Sequence, residues 1–138
     1  MRPIYILDAC AFIAAVNEEP GAGTIRRLFA QAKKGEATLM MHKLNLLEAY
    51  YGFLRPYGKE KTDKLLHAFM HEPVEIVSDI SDKVFREAGR LKAAYKISLA
   101  DSIALAQAVA AGGSLVTSDH HEFDSIESGE SIRLFWFR

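Results

Sequence analysis

Four acidic residues carry the chemistry that this sequence can be expected to do: Asp8, Glu48, Asp101 and Asp119. Asp8 closes the apolar run Ile4-Tyr5-Ile6-Leu7, and Asp119 stands one residue beyond the run Leu115-Val116-Thr117. Glu48 and Asp101 fall in segments with helical patterning. Ligands of open α/β sheets bind outside the carboxyl ends of the strands, where position alone would put Asp8 and Asp119. Carboxylates brought together repel unless a cation relieves them. Oxygen-only ligands select hard ions such as Mg²⁺ and Mn²⁺. The expectation is a divalent metal site, and the chemistry most consistent with it is hydrolysis of a phosphodiester. Thr117 and Ser118 bring hydroxyls that could orient carboxylates or contact phosphate. Glu122 and Asp124 follow Asp119 closely enough to compete for its role.

Each acid also has a purely structural use. An Asp just ahead of a helix caps it, and Asp8 precedes the helix predicted over 9–16. Ser98-Leu99-Ala100-Asp101 has the spacing of a capping box, although Glu or Gln is usual in the last place. Glu48 sits among Leu44, Leu46, Leu47, Ala49, Tyr50 and Tyr51, where a carboxylate is rarely buried without a partner. It could instead share a narrow polar stripe with Lys43 and Arg55. Asp119 in Thr117-Ser118-Asp119-His120-His121 suits a turn.

The elements that must position these residues alternate between strand and helix. Strands are predicted at 5–7, 37–41, 74–77, 114–117 and 132–137. The first and fourth are continuous apolar runs, as in strands buried on both faces. Helices are predicted at 9–16, 24–34, 44–54, 59–71, 82–95 and 99–111. Arg55-Pro56-Tyr57-Gly58 reads as a turn between two of them. The helix over 44–54 is apolar nearly all round and is expected to be largely buried. This alternation points to an α/β fold with a mostly parallel sheet and helices on both sides.

Bulk properties agree. A chain of 138 residues, 49% apolar and 25% charged, suits one domain spanning residues 1–138. No apolar stretch reaches membrane-span length, and the apolar run near the start is short for a secretory signal. The single cysteine, Cys10, has no internal partner, which fits a reducing cytoplasm. A net charge of −1 provides no global attraction for nucleic acid, so binding would rest on local patches and bound metal.

Taken in order, the four motifs resemble those of the PIN-domain family, including the VapC-like toxins of toxin–antitoxin pairs. Ile6-Leu7-Asp8-Ala9-Cys10-Ala11-Phe12-Ile13-Ala14 is similar to the first motif and Asn45-Leu46-Leu47-Glu48-Ala49-Tyr50-Tyr51-Gly52 to the second. Ser98-Leu99-Ala100-Asp101-Ser102-Ile103-Ala104-Leu105-Ala106 is similar to the third and Leu115-Val116-Thr117-Ser118-Asp119-His120-His121-Glu122-Phe123 to the fourth. The resemblance covers nearly the whole chain. It implies a three-layer α/β/α sandwich around a five-stranded, mostly parallel sheet. It also implies a Mg²⁺- or Mn²⁺-dependent endoribonuclease that leaves 5′-phosphate and 3′-hydroxyl ends. Asp8, Glu48, Asp101 and Asp119 carry over as the acidic quartet, with Asp8, Asp101 and Asp119 as metal ligands and Thr117, Ser118 and Asp124 as supporting residues. Two departures stand out. Ala9 and Cys10 follow the first Asp, where many relatives have Thr or Ser, and His42 precedes the second motif in place of Ser or Thr.

The remaining features are less specific. Adjacent His120 and His121 point different ways and suit a surface better than a metal. Cys10 lacks a neighbouring His that would make it a nucleophile. Lys83, Arg86 and Arg90, with Lys59, Lys61 and Lys64, form either a solvated face or an RNA-backbone contact. Tyr50, Tyr51, Phe53, Leu54 and Tyr57 are numerous for one corner of a small interior. With the toxin resemblance, they suggest a homodimer and a small antitoxin partner. A PIN-like domain that binds RNA or protein without cutting is the alternative. A receiver domain would need paired acids near the first strand, and a dinucleotide-binding enzyme would need a Gly-rich fingerprint after it. Neither is present.

Overall fold

The computed structural model describes residues 2–138. In chain order the elements are β1 (Ile4–Leu7), α1 (Ala9–Val16), α2 (Ala22–Lys33), β2 (Thr38–His42) and α3 (Lys43–Phe69). They continue with β3 (Val74–Val77), α4 (Asp82–Ala94), α5 (Leu99–Ala111), β4 (Ser114–Thr117), α6 (His120–Gly129) and β5 (Arg133–Trp136). The strands form one sheet in the order β3-β2-β1-β4-β5, and every pairing is parallel. The expected α/β sandwich with a five-stranded sheet is therefore present, and its sheet is wholly parallel.

Alternation along each strand divides the interior into two layers. Leu7, Leu39, Met41 and Val116 face α1, α2 and α3, where they meet Phe12, Ile25, Leu28, Phe53 and Phe69. Ile6 and Leu115 face the other side, with Leu91, Leu105, Phe123 and Ile126. Phe12 is the hub of the first layer, stacked on Phe69 at 4.0 Å between ring centres and edge-on to Phe53 at 5.2 Å. The apolar strands β1 and β4 are central because both of their faces are covered.

Helix starts follow local chemistry. Ser81 accepts from the Val84 N–H at 3.3 Å and caps α4, while Ser98 accepts from the Asp101 N–H at 3.1 Å and caps α5. Gly112, at φ 67°, ends α5 in the left-handed conformation that glycine adopts freely.

The turn predicted at 55–58 is present as a kink within α3: the backbone leaves the helical conformation at Gly58, at φ 76° and ψ 173°, and a helix lies on either side of it. Two expectations need correction. The first half of α3 is not largely buried, since Leu47 and Tyr51 are exposed. Helix α6 was not predicted. Asp119 caps it by accepting from the Glu122 N–H at 3.1 Å, so Asp119-His120-His121-Glu122 is a helix start where a turn was expected. An acidic cap with Glu three residues on was the signal available for it.

Candidate active site

The register of β1 and β4 begins the site. Leu7 is opposite Val116, and the Asp8 N–H reaches the Val116 carbonyl at 3.4 Å, so Asp8 lies beside Thr117 at the carboxyl edge of the sheet. Asp8 is 2% exposed and caps α1, accepting from the Ala11 N–H at 3.1 Å. Its capping and candidate site roles coexist because a carboxylate has two oxygens. Thr117 is fully buried and links two of the acids. Its hydroxyl bonds to the Asp8 carboxylate, and its oxygen accepts the Asp119 N–H at 3.1 Å.

Helices α3 and α5 deliver the other two acids. The Asn45 side chain donates to the Ala100 carbonyl at 3.3 Å, tying the turn of α3 that precedes Glu48 to the residue before Asp101. The α3 start is capped by His42, whose Nδ1 accepts from the Leu44 N–H at 3.1 Å. Its Nε2 then carries the proton and donates to the Asp79 carbonyl at 3.0 Å. The departure at His42 therefore retains a cap in place of the usual hydroxyl. Glu122 was named in the sequence only as a competitor for the role of Asp119. Its carboxylate accepts from the Ser98 N–H at 3.0 Å and hydrogen-bonds the Asp101 carboxyl. The second half of the capping box is thus filled from α6, leaving the Asp101 carboxyl to meet Glu122. Asp124 instead pairs with His120 at 3.0 Å on the exposed side of α6. Ser118 accepts from Arg138 at 3.0 Å.

The electrostatics reflect crowding of like charge. Burial, reinforced by the neighbouring Asp119, pushes Asp8 up to about 7 despite the bonds from Thr117 and Ala11. Burial, the bond to Glu122 and the charges of Asp8 and Glu48 raise Asp101 to about 8. Glu48 is also raised, first by burial and then by Glu122. The Cys10 thiol is pushed up to about 12 by burial and by the fields of Asp8, Asp119 and Asp101. A thiol held protonated in this way is a poor nucleophile, in keeping with the sequence reading.

Among the described residues, no three His, Cys, Asp or Glu side chains are drawn together as a ready-made cage for an ion. The donor chemistry nevertheless fits a hard cation. The charges of Asp8 and Glu48 raise Asp101, which hydrogen-bonds Glu122, and a cation would relieve the same repulsion. Asn45 adds a buried side-chain oxygen without a hydrogen-bond partner, one helical turn before Glu48.

The surface around the site departs from expectation at two places. Most of the aromatic corner turns inward. Phe53 is buried, Tyr50 donates to Asp63 at 2.6 Å and Tyr57 to Asn17 at 2.8 Å; Tyr51 is exposed. The larger apolar surface is a groove of about 630 Å³ between α4 and α5, lined by Ile80, Phe85, Leu99 and Ile103. The predicted basic stripe is partly neutralised, since Arg90 pairs with Glu87 and Glu130, Lys59 with Asp63, and Lys64 with Glu60.

The family model described as PIN domain matches residues 5–128. The chain belongs to the PIN-domain family. Solved structures share this PIN fold over almost the full length. One is VapBC2 from Rickettsia felis bound to a DNA fragment from their promoter. It has a TM-score of 0.76 and 23% identity, over 96% of this chain and 98% of that one. DNA-bound VapBC from Salmonella typhimurium also gives 0.76, at 17% identity over 100% of both chains. The sarcin-ricin loop cleaving toxin VapC20 from Mycobacterium tuberculosis gives 0.65, at 16% identity over 91% of this chain and 95% of that one. Among curated proteins, no significant sequence match is found. No described helix of this PIN domain is long and apolar enough to cross a membrane.

Proposed function

We propose that this PIN domain is a divalent-metal-dependent endoribonuclease and the toxin of a type II toxin–antitoxin pair, acting in the cytoplasm. The observation that carries this reading is the convergence of raised carboxyls at the carboxyl edge of the sheet, with Asp8 near 7 and Asp101 near 8. Asp8 and Asp101 are assigned as the closest ligands of Mg²⁺ or Mn²⁺, with Asp119 binding directly or through water. When bound, the ion supplies Lewis acidity towards the phosphodiester and lowers the pKa of water. Thr117 holds Asp8 and the Asp119 backbone in fixed relation. Glu48, raised by burial and Glu122, is suited to take a proton from the attacking water. Supporting hydrogen bonds of this kind commonly set metal affinity or activity within about 10- to 100-fold.

The Rickettsia felis and Salmonella typhimurium structures are VapBC assemblies by name, and another structure of like fold is a toxin–antitoxin complex from Klebsiella pneumoniae, which supports a small antitoxin partner. For the homodimer, the exposed apolar side chains of Ile80, Phe85 and Leu99 are the surface assigned to a second copy. Leu99 lies two residues from Asp101, so such a dimer would set two sites near one another.

The test is cleavage of an end-labelled tRNA pool by purified protein with Mg²⁺ or Mn²⁺, with chelator, and with Asp101→Asn. Metal-dependent cutting that disappears in Asp101→Asn supports the assignment. A folded, partner-free protein that binds RNA but never cuts it would favour the catalytically silent alternative.

A further inference from the structure

Arg138 lies at the acidic edge and is absorbed by none of the roles above. The parallel register sets Thr117 opposite Trp136, and the Phe137 N–H continues the ladder to the Thr117 carbonyl at 3.2 Å. Arg138 is thereby carried past the carboxyl ends of β4 and β5, alongside Ser118 and Asp119. Its position is secured at several points. Nη2 donates to the Ser118 hydroxyl at 3.0 Å, and Nη1 to Glu19 at 3.2 Å and to the Pro20 carbonyl at 3.3 Å. His120, stacked on Trp136 at 3.9 Å, donates from Nε2 to the Arg138 carbonyl at 3.0 Å. The loop carrying Glu19 and Pro20 can approach because Gly21 meets the Phe137 backbone where a Cβ would collide. The side chain is still about two-fifths exposed, and its positive field reaches Cys10, two residues from Asp8.

We infer that Arg138 binds an RNA phosphate next to the one being cleaved, and that Glu19 holds the guanidinium in readiness and competes with RNA for it. This inference rests on the nuclease reading for the position of the cut, but not for RNA binding itself. A guanidinium presents several N–H donors in one plane and suits a phosphate better than an ammonium does. Glu19, the Pro20 carbonyl and Ser118 each accept from the guanidinium, and Ser118 is the neighbour of Asp119 on the edge that the acids line. A phosphate arriving there would replace the Glu19 carboxylate, exchanging one anion for another.

The two residues should therefore act in opposite directions. Binding of a 5′-fluorescein single-stranded RNA is measured by anisotropy with Ca²⁺ in place of Mg²⁺, across a salt series. Arg138→Gln is expected to weaken binding about tenfold and to lower the slope of log affinity against log salt by about 0.7, one phosphate contact on a single strand. Arg138→Lys should recover part of the loss, and Glu19→Gln should tighten binding several-fold. If Arg138 only braced the fold, Arg138→Gln and Glu19→Gln would both lower the melting temperature and leave the salt slope alone. Wild-type affinity in Arg138→Gln, or no RNA binding by the wild type, overturns the inference. A protein that binds in this pattern but does not cut with Mg²⁺ or Mn²⁺ sinks the nuclease reading and leaves this one standing.

Discussion

Metal-free protein should lose stability as pH rises from about 5 to 8.5, and Asp101→Asn should remove much of that loss. A carboxyl whose folded pKa lies above its unfolded value gives stability that is fully present below the unfolded value and is lost as pH rises through the folded one. Asp101 goes from 3.8 to about 8 and Asp8 from 3.8 to about 7, so the decline occupies the interval between 3.8 and 8 and then levels off. Between pH 5 and 8, Asp101 alone spans about three tenfold changes in proton affinity, at about 1.4 kcal/mol each, for an upper bound of about 4 kcal/mol. Asp101 hydrogen-bonds Glu122 and feels Asp8, and residual water will soften the field. The difference between wild type and Asp101→Asn should therefore open by roughly 2–4 kcal/mol, or about 6–15 °C in Tm for a domain of this size. The assay is thermal melting in EDTA at half-unit pH steps for both proteins, repeated with saturating Mn²⁺. Mn²⁺ should raise the wild-type Tm at pH 8 far more than that of Asp101→Asn, because binding to the folded state alone adds stability. Parallel profiles for the two proteins in EDTA would refute the crowding of carboxyls as described.

Three further outcomes follow from individual contacts. Thr117→Val removes the bond to Asp8 and the acceptor for Asp119; RNA cleavage should fall about 10- to 100-fold, read as kcat with the fold checked by circular dichroism. His42→Ala should cost about 1–2 kcal/mol in urea denaturation through loss of the α3 cap, and His42→Ser should recover a part of it, since serine can accept from Leu44 but is short for Asp79. Cys10, with its thiol pushed to about 12, should react with a thiol reagent at pH 8 far more slowly in the folded protein than in urea, and equal rates would contradict its burial.

The sequence by itself determined the features that rest on local patterning. The strands at 74–77 and 114–117 and the helices at 9–16 and 99–111 have the bounds that their apolar periods and caps predicted. Ser98 sits three residues before Asp101 and Asp8 one residue before α1, so both caps were visible as spacing. The ordered acidic motifs pointed to the PIN family. Tertiary structure decided what those groups face. That Glu122 meets Asp101 and caps Ser98 depends on α6 returning across α5, a contact 24 residues apart for Ser98 and Glu122. That Thr117 joins Asp8 to Asp119 depends on the pairing of β1 with β4, more than 100 residues apart in sequence. The aromatic corner depends on tertiary structure in the same way: the distant Phe12 and Asn17 and the nearer Asp63 take up most of its rings and hydroxyls, while Tyr51 stays exposed, as do Ile80, Phe85 and Leu99 elsewhere. The raised carboxyl pKa values belong wholly to the folded state, because desolvation and mutual repulsion arise only when chain segments far apart in sequence share one dry corner.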